Sequence, residues 1–275
     1  MKLINTRSCS HQQECELLQG SHKSTSYFPR YPLPAEMLLH ISVATLLGKQ
    51  RSFQHDARRL LSRLKPPLQV FGREHIPDAE PCLLVLNHYS REGFGAWWIA
   101  LAISAVSPRD IHWIMTGAWT FPGKWFRHTL KTATEWAFAQ AARVYRFTPM
   151  SPMPPDPTEL QKRSEAVRKS LTYARRTQQP IVGLSPEGRD FPDGKLGWPP
   201  PGAGKFMLQF VRLGMDITPV GVFEQDGMLC LDFGPCFKPD VPDGISLAER
   251  DHIMSCIVME RIARQLPAHL RGEFG

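Results

Sequence analysis

Short apolar runs alternate, over most of the chain, with longer segments whose apolar residues recur at helical spacing. The short runs predict strands at residues 68–71, 82–87, 112–115, 143–147, 181–184, 217–223 and 228–233. The longer segments predict helices at about 94–106, 157–174, 204–213 and 246–266. Strands that alternate with helices predict an α/β fold, here a single domain with a mixed, largely parallel sheet flanked by helices.

The first 67 residues do not follow this alternation. Residues 1–30 are polar and mixed, which predicts a loosely ordered tail. Residues 31–67 predict an N-terminal helical segment that ends at Pro66 and Pro67. The α/β domain is therefore expected to occupy residues 68–275.

Residues 49–65 form the most basic part of the N-terminal segment, with six Lys or Arg residues against one Asp. Apolar residues recur there at helical spacing, which predicts a basic amphipathic helix. Such a helix either lies on an anionic membrane surface or packs its apolar stripe on the domain. No apolar run reaches the roughly 20 residues of a membrane-spanning helix. Peripheral attachment to the inner face of the cell membrane is the expected arrangement.

Composition favours one globular domain with an anionic partner. The chain has 275 residues, of which 42% are hydrophobic, and this is enough for a core without disulfides or metals. Its formal net charge of +7 indicates attraction to an anion. No zinc-finger, RNA-binding or basic-zipper pattern accompanies that charge, so nucleic acid is not an expected partner.

The six cysteines are spread along the chain, and no secretory signal precedes them. This distribution favours free thiols in a reducing, cytoplasmic compartment. Cys9, His11 and Cys15 are of metal-ligating types, but no second Cys/His pair follows at zinc-site spacing. We therefore expect no metal site.

Candidate chemistry lies just beyond two of the predicted strands. His88 follows the strand at 82–87, and Glu187 and Arg189 follow the strand at 181–184. Open α/β sheets build their sites at the carboxyl ends of parallel strands, so these side chains are expected at one edge. Histidine suits general-base catalysis near neutral pH, and arginine suits phosphate. The pattern predicts a base beside an anion-binding group.

Around these residues the chain resembles the glycerolipid acyltransferase superfamily, which is typified by bacterial 1-acylglycerol-3-phosphate acyltransferase. Asn87, His88 and Ser90 match the family's Asn-His-x-Ser-x-x-Asp box, in which Gly93 replaces the aspartate. The later blocks of the family are similar, in order and spacing, to residues 143–146, 186–189 and 218–220. The resemblance covers about residues 68–235.

The resemblance implies an O-acyltransferase of phospholipid biosynthesis that needs no cofactor. It would move a fatty acyl group from acyl-CoA or acyl carrier protein to a glycerophosphate or a related lipid alcohol. His88 would be the general base, and Glu187 would orient an arginine of the acceptor-phosphate site. The resemblance implies substrate-binding roles for Asn87, Ser90, Arg146, Glu187, Gly188, Arg189 and Pro219.

A histidine base works best when a carboxylate holds its second ring nitrogen. With Gly93 at the family's aspartate position, Glu92 is the nearest acid in sequence and is the expected second catalytic residue. Its longer side chain reaches His88 if residues 90–93 form an irregular turn. In a regular helix a shift of one residue turns the side chain away by about 100°.

Two other interpretations remain open. A histidine at a strand end can be purely structural, and a relative that has lost the aspartate can bind lipid or an acyl thioester without catalysis. Ser90 and Ser185 raise the question of serine hydrolysis, but neither lies in a Gly-x-Ser-x-Gly elbow, so a hydrolase is not expected.

Overall fold

A single seven-stranded sheet organises the residues described by the computed structural model, which are 29, 31, 35–117, 127–151, 159–191 and 193–275. Its strands are β1 (Gln69–Phe71), β2 (Cys82–Leu86), β3 (His112–Thr116), β4 (Thr148–Met150), β5 (Ile181–Leu184), β6 (Asp216–Gln225) and β7 (Met228–Phe233). Their order is β1-β7-β6-β2-β5-β3-β4. All neighbours pair in parallel except β6 and β7, which form a hairpin. The predicted fold class, α/β with a mixed and largely parallel sheet, is confirmed.

Helices flank this sheet. They are α1 (Ala35–Leu46), α2 (Phe53–Leu61), α3 (Trp97–Val106), α4 (Arg127–Tyr145), α5 (Leu160–Arg176), α6 (Ala203–Arg212) and α7 (Leu247–Arg264). Helix α2 packs against α3, and α7 packs against α6 and β6. Every residue of β2 and β5 is buried, as expected for parallel strands covered on both faces.

Local sequence signals account for several elements. Asp226 and Gly227 both have positive φ, 51° and 74°, which suits the two-residue turn between β6 and β7. Ser246 and Glu249 form a capping box, in which each side chain accepts a hydrogen bond from the other residue's backbone N–H. These signals act within a few residues, so the sequence predicted both the hairpin and the start of α7.

The predicted strand at 143–147 is wrong. Helix α4 extends to Tyr145, Arg146 turns the chain with a φ of 59°, and β4 begins only at Thr148. The apolar residues of this run, Val144 and Tyr145, are buried by the last turn of the helix. A short apolar run does not by itself distinguish a strand from a helix end.

The N-terminal segment contains two helices, and their apolar residues differ in exposure. In α2 and the residues after it, the predicted stripe is buried in the domain (Phe53, Ala57, Leu60, Leu61 and Leu64). The stripe therefore packs on the domain and does not face a membrane. Helix α1 and the residue that follows it instead expose Leu38, Leu39, Val43, Leu46 and Leu47. The predicted tail at 1–30, except for residue 29, and the predicted start of α5 at residue 157 lie outside the described residues.

Candidate active site

Parallel strands β2, β5 and β6 end at the same edge of the sheet, which we call the carboxyl edge. The loops that follow β2 and β5 meet there because these two strands are neighbours with aligned registers. They carry the two motif segments that the sequence places far apart. The carboxyl edge is therefore the part of the described chain where the predicted base and the predicted acid come together.

Asn87 fastens the first of these loops to β6. Its side chain is buried, and Nδ2 donates to the Val222 carbonyl at 2.8 Å while Oδ1 accepts from the Val222 N–H at 2.7 Å. Both polar atoms are occupied by backbone, so the residue continues the sheet pairing beyond β2. Asn87 therefore has a structural role in fixing the start of the His88 loop, and its expected substrate-binding role stays a prediction.

Glu187 joins the two loops. Its carboxylate is 1% exposed and accepts from the backbone N–H of His88 at 2.5 Å and of Gly197 at 2.8 Å. Burial raises the pKa of Glu187 to about 7, although both backbone hydrogen bonds favour the ionised form. The structure records no arginine among its partners in the described chain. Both oxygens accept from backbone donors, and the expectation that Glu187 orients an arginine stays a prediction.

The imidazole of His88 lies against a different carboxylate. Its Nδ1 is 2.6 Å from Oδ1 of Asp190, on the loop after β5. The distance is that of an ion pair, but the ring N–H is not aligned with the oxygen as a straight hydrogen bond. The contact with His88 lowers the pKa of Asp190 below its usual range, against the opposing effect of partial burial. Asp190 therefore stays ionised at neutral pH.

The second ring nitrogen of His88, Nε2, has no hydrogen-bond partner within the described part of the chain and reaches solvent. The side chain as a whole is 25% exposed. An imidazole that contacts a carboxylate through one nitrogen and faces solvent with the other can accept a proton from a bound hydroxyl. The arrangement has the form of a base with its orienting acid.

Glu92 does not fill the position expected for it. Residues 91–94 form the irregular turn that Glu92 would need, closed by the Phe94 N–H to the Arg91 carbonyl at 3.1 Å. Even so, the Glu92 side chain is exposed, and no ion pair joins it to His88 among the described residues. Gly93 has a φ of 78°, a left-handed conformation that glycine adopts readily. The carboxylate at His88 is that of Asp190, which replaces Glu92 as the candidate acid.

The two candidate arginines lie at opposite edges of the sheet. Arg189 is exposed beside Asp190, with its guanidinium 4.7 Å from the centre of the Phe191 ring. Arg146 precedes β4, so it lies at the amino edge, where its Nε donates to Gln50. It follows a helix instead of ending a strand, so the structure does not bring it to the carboxyl edge, and its expected role in substrate binding stays a prediction.

The remaining predicted site residues are structural in their contacts. Gly188 has a φ of 63° and forms the turn before Arg189. Ser90 is half-buried, and its carbonyl lies so close to Gly194 that a Cβ there would be 2.7 Å away. Pro219 is buried within β6, paired with Val85, and its expected contact with an acyl donor stays a prediction.

A cluster around Glu224 supports the loop that carries His88, and the sequence did not point to it. The Glu224 side chain is 1% exposed and accepts from Tyr31 Oη at 2.5 Å and Tyr89 Oη at 3.0 Å. Arg91 pairs with the same carboxylate through two nitrogens. Because Tyr89 and Arg91 closely follow His88, the cluster anchors this loop to β6. The only sequence signal was a glutamate directly after the predicted strand at 217–223.

The acyltransferase family model matches residues 67–223, which is more than half of the chain and includes His88, Glu187 and Asp190. The chain belongs to the acyltransferase family. The resemblance seen in the four sequence segments is confirmed at this level, and acyl transfer is the reaction class that the family carries. His88 and Glu187 therefore lie side by side at the carboxyl edge of the sheet in a member of this family.

Among solved structures, this acyltransferase is similar to the 1-acyl-sn-glycerophosphate (LPA) acyltransferase PlsC from Thermotoga maritima. The two share 13% sequence identity with a TM-score of 0.47, and the match covers 84% of this chain and 88% of that chain. No curated protein matches the chain in sequence.

Three further findings concern the described residues of this acyltransferase. They contain no group of three or more His, Cys, Asp or Glu side chains arranged to hold a metal ion. None of the helices among them combines the length and the apolar character that crossing a membrane requires. Cys82, Cys230, Cys236 and Cys256 are free thiols.

Proposed function

We propose that this acyltransferase moves a fatty acyl group from an acyl thioester, either acyl-CoA or acyl carrier protein, to the hydroxyl of a glycerophosphate or related lipid alcohol. The hydrogen bond between the His88 N–H and the buried Glu187 carboxylate is the observation that carries this proposal. It joins the loop of the base to the loop of the exposed Arg189 at one edge of the sheet. A glycerophosphate acceptor needs a base for its hydroxyl and an anion-binding group for its phosphate.

The reaction follows from the position of His88. Its Nε2 removes the proton of the acceptor hydroxyl as the oxygen attacks the thioester carbonyl, which requires an N···O distance of about 2.6–3.2 Å. The tetrahedral intermediate then collapses with cleavage of the carbon–sulfur bond. The imidazolium returns its proton to the departing thiolate, so the base is regenerated and the products are an ester and a free thiol.

Arg189 is the candidate contact for an acceptor phosphate. It lies one residue from Asp190, and its side chain is exposed above Phe191, so its guanidinium fork is open to an anion. Gly188 precedes it with no side chain of its own. Arg146, at the other edge, takes no part in this proposal.

We also propose that the protein attaches peripherally to an anionic, cytoplasmic membrane surface through α1. Several leucines of α1 are more than half exposed, with Leu39 at 61% and Leu46 at 86%. Lys49, just beyond the helix, and Lys65 are exposed as well. Apolar side chains that enter the headgroup region, with lysines that each add about 1 kcal/mol near anionic lipid, account for such attachment.

The catalytic proposal is tested by acyl-transfer assays with radiolabelled acyl-CoA and acyl carrier protein against a panel of lipid alcohols with and without phosphate. We expect transfer by the wild type and a loss of about 100- to 10,000-fold in His88→Gln. His75→Gln is the matched control, because His75 is similarly exposed, 34% against 25%, and follows β1, the outermost strand of the sheet. Retained transfer in folded His88→Gln would contradict the proposal. Binding of the thioester without transfer by the wild type would instead favour a binding protein.

The membrane proposal is tested by flotation with neutral and anionic vesicles. Leu39→Gln/Leu46→Gln should lower vesicle binding, since both side chains lie on the exposed face of α1. Leu160→Gln/Leu247→Gln is the control, because those leucines are 58% and 68% exposed on other helices. Equal binding by both double variants would reject α1 as the attachment surface.

A further inference from the structure

The acyltransferase box of this chain lacks its own carboxylate. The resemblance places an aspartate five residues after the histidine, and that position is Gly93. Its φ of 78° disfavours any residue with a side chain. The neighbouring Glu92 is exposed and makes no ion pair with His88 within the described chain. The loop after β2 therefore supplies the histidine without an acid.

The loop after β5 brings a carboxylate to the same ring. Asp190 Oδ1 lies 2.6 Å from His88 Nδ1. Two contacts hold the loop of Asp190 against the loop of His88. Glu187, three residues before Asp190, accepts from the His88 backbone N–H, and Gly194, four residues after Asp190, packs closely on the Ser90 carbonyl. The position of Asp190 thus follows from how the two loops are joined and does not depend on one side-chain rotamer alone.

We infer that Asp190 is the positioning carboxylate of His88, supplied from the loop after β5 in place of the motif aspartate. This inference rests on the proposed acyl transfer. Asp190 holds Nδ1 protonated, so that Nε2 faces the acceptor hydroxyl as the base. When Nε2 takes the proton, the nearby carboxylate stabilises the imidazolium without taking a proton itself.

Glu187 is not an alternative partner for the ring. Both of its oxygens accept backbone N–H groups, and its burial favours the protonated form. Asp190 is 61% exposed, so solvent screens its effect on the imidazolium. A buried aspartate in this role contributes about 10,000-fold in rate, and we expect about 10- to 100-fold from Asp190.

The kinetic test compares three amide variants of the same edge. Asp190→Asn should lower kcat by about 10- to 100-fold and leave the KM of both substrates within about twofold, because the acid acts on the base and not on substrate binding. Asp193→Asn is the loop control, since Asp193 faces Lys195 at 3.9 Å. Glu92→Gln controls for the nearest acid in sequence. Loss of kcat in Glu92→Gln with wild-type kcat in Asp190→Asn would overturn the inference.

A second measurement does not need activity. The ¹⁵N NMR shifts of the neutral His88 ring, assigned by their absence in His88→Gln, should report protonation on Nδ1 in the wild type and in Asp193→Asn. Asp190→Asn should shift the population toward the Nε2-protonated tautomer, because an amide can donate to Nδ1. Identical shifts in the wild type and Asp190→Asn would overturn the inference. A wild type that transfers no acyl group would instead contradict the proposed function and leave this readout intact.

Discussion

The two edges of the sheet both carry charged clusters, but the clusters are completed in different ways. At the amino edge, Asp56 is 3% exposed and accepts from Arg51 at 2.6 and 2.9 Å and from Tyr145 at 2.8 Å. At the carboxyl edge, His88 has a carboxylate on one ring nitrogen and solvent on the other. The amino-edge cluster is closed within the protein, whereas the carboxyl-edge cluster leaves one polar atom open for a substrate.

The carboxylates show the same contrast. Burial raises the pKa of Asp56, but the bonds from Arg51 and Tyr145 outweigh it and hold the pKa below its usual range. Glu187 receives only neutral backbone donors, and its pKa is raised to about 7. A charged partner therefore decides which buried carboxylate is ionised. We expect the amino edge to contribute to stability at neutral pH and the carboxyl edge to determine the rate.

The largest expected effect of a substitution on stability at neutral pH is that of Asp56→Ala. Removing this carboxylate leaves Arg51 and Tyr145 without their partner, and breaking a buried ion pair costs about 3–5 kcal/mol. Arg51 is 31% exposed, so we expect the lower figure of about 2–3 kcal/mol in the free energy of unfolding by urea. Acyl transfer per folded molecule should not change. Asp78→Ala, an exposed aspartate at the same edge, is the control, and equal stability of both variants would contradict the contrast between the edges.

The second expected effect concerns pH. Glu187 has a folded pKa of about 7 against an ordinary value of 4.5, so the unfolded chain loses this proton first as pH rises. The stability associated with the protonated carboxyl is complete below about 4.5 and is lost as pH rises to about 7, by roughly 3 kcal/mol.

Glu187→Gln should remove this part of the pH dependence in urea unfolding measured from pH 4 to 8. Glu92→Gln, an exposed glutamate of the neighbouring loop, should retain it. If the two variants and the wild type show the same slope, the buried carboxyl does not titrate as the structure indicates.

Much of the fold could be predicted because its signals are local. The apolar runs of β2 and β5, the Asp-Gly turn and the capping box each act within a few residues, and the position of His88 followed from the strand before it. The position of Asp190 could not be predicted in this way. Its contact with His88 depends on the register of β2 and β5 and on the turn at Gly188, which bring distant loops together.

The error at Arg146 has a related cause. Arg146 was expected near the carboxyl end of a predicted strand. The start of that run is instead the end of α4, so Arg146 precedes β4 and lies at the amino edge. Glu92 was expected at the histidine because it is close in sequence. Proximity along the chain did not decide the contact, because the Glu92 side chain is exposed while the loop after the neighbouring strand β5 brings Asp190 to the ring.

The smallest expected effect is a change in the KM of the acceptor, and it distinguishes Arg189 from Arg146. Arg189→Ala should raise the KM of a phosphate-bearing acceptor by about 10-fold, the loss of one charge-assisted contact on an exposed surface, with kcat little changed. Arg146→Ala should leave both constants at wild-type values, because it lies at the amino edge. The comparison is made with matched acceptors that carry or lack phosphate. Equal KM changes in both variants would contradict the assignment of the phosphate contact to Arg189.

The central claim, that His88 and Asp190 act as one catalytic unit at the carboxyl edge, is tested most directly by a double-mutant cycle. Single-turnover acyl-transfer rates are measured for the wild type, His88→Gln, Asp190→Asn and the double variant. If Asp190 acts only through His88, the double variant should be as slow as His88→Gln, within about twofold. If the two losses instead multiply in the double variant, Asp190 contributes independently of the histidine and the account is contradicted.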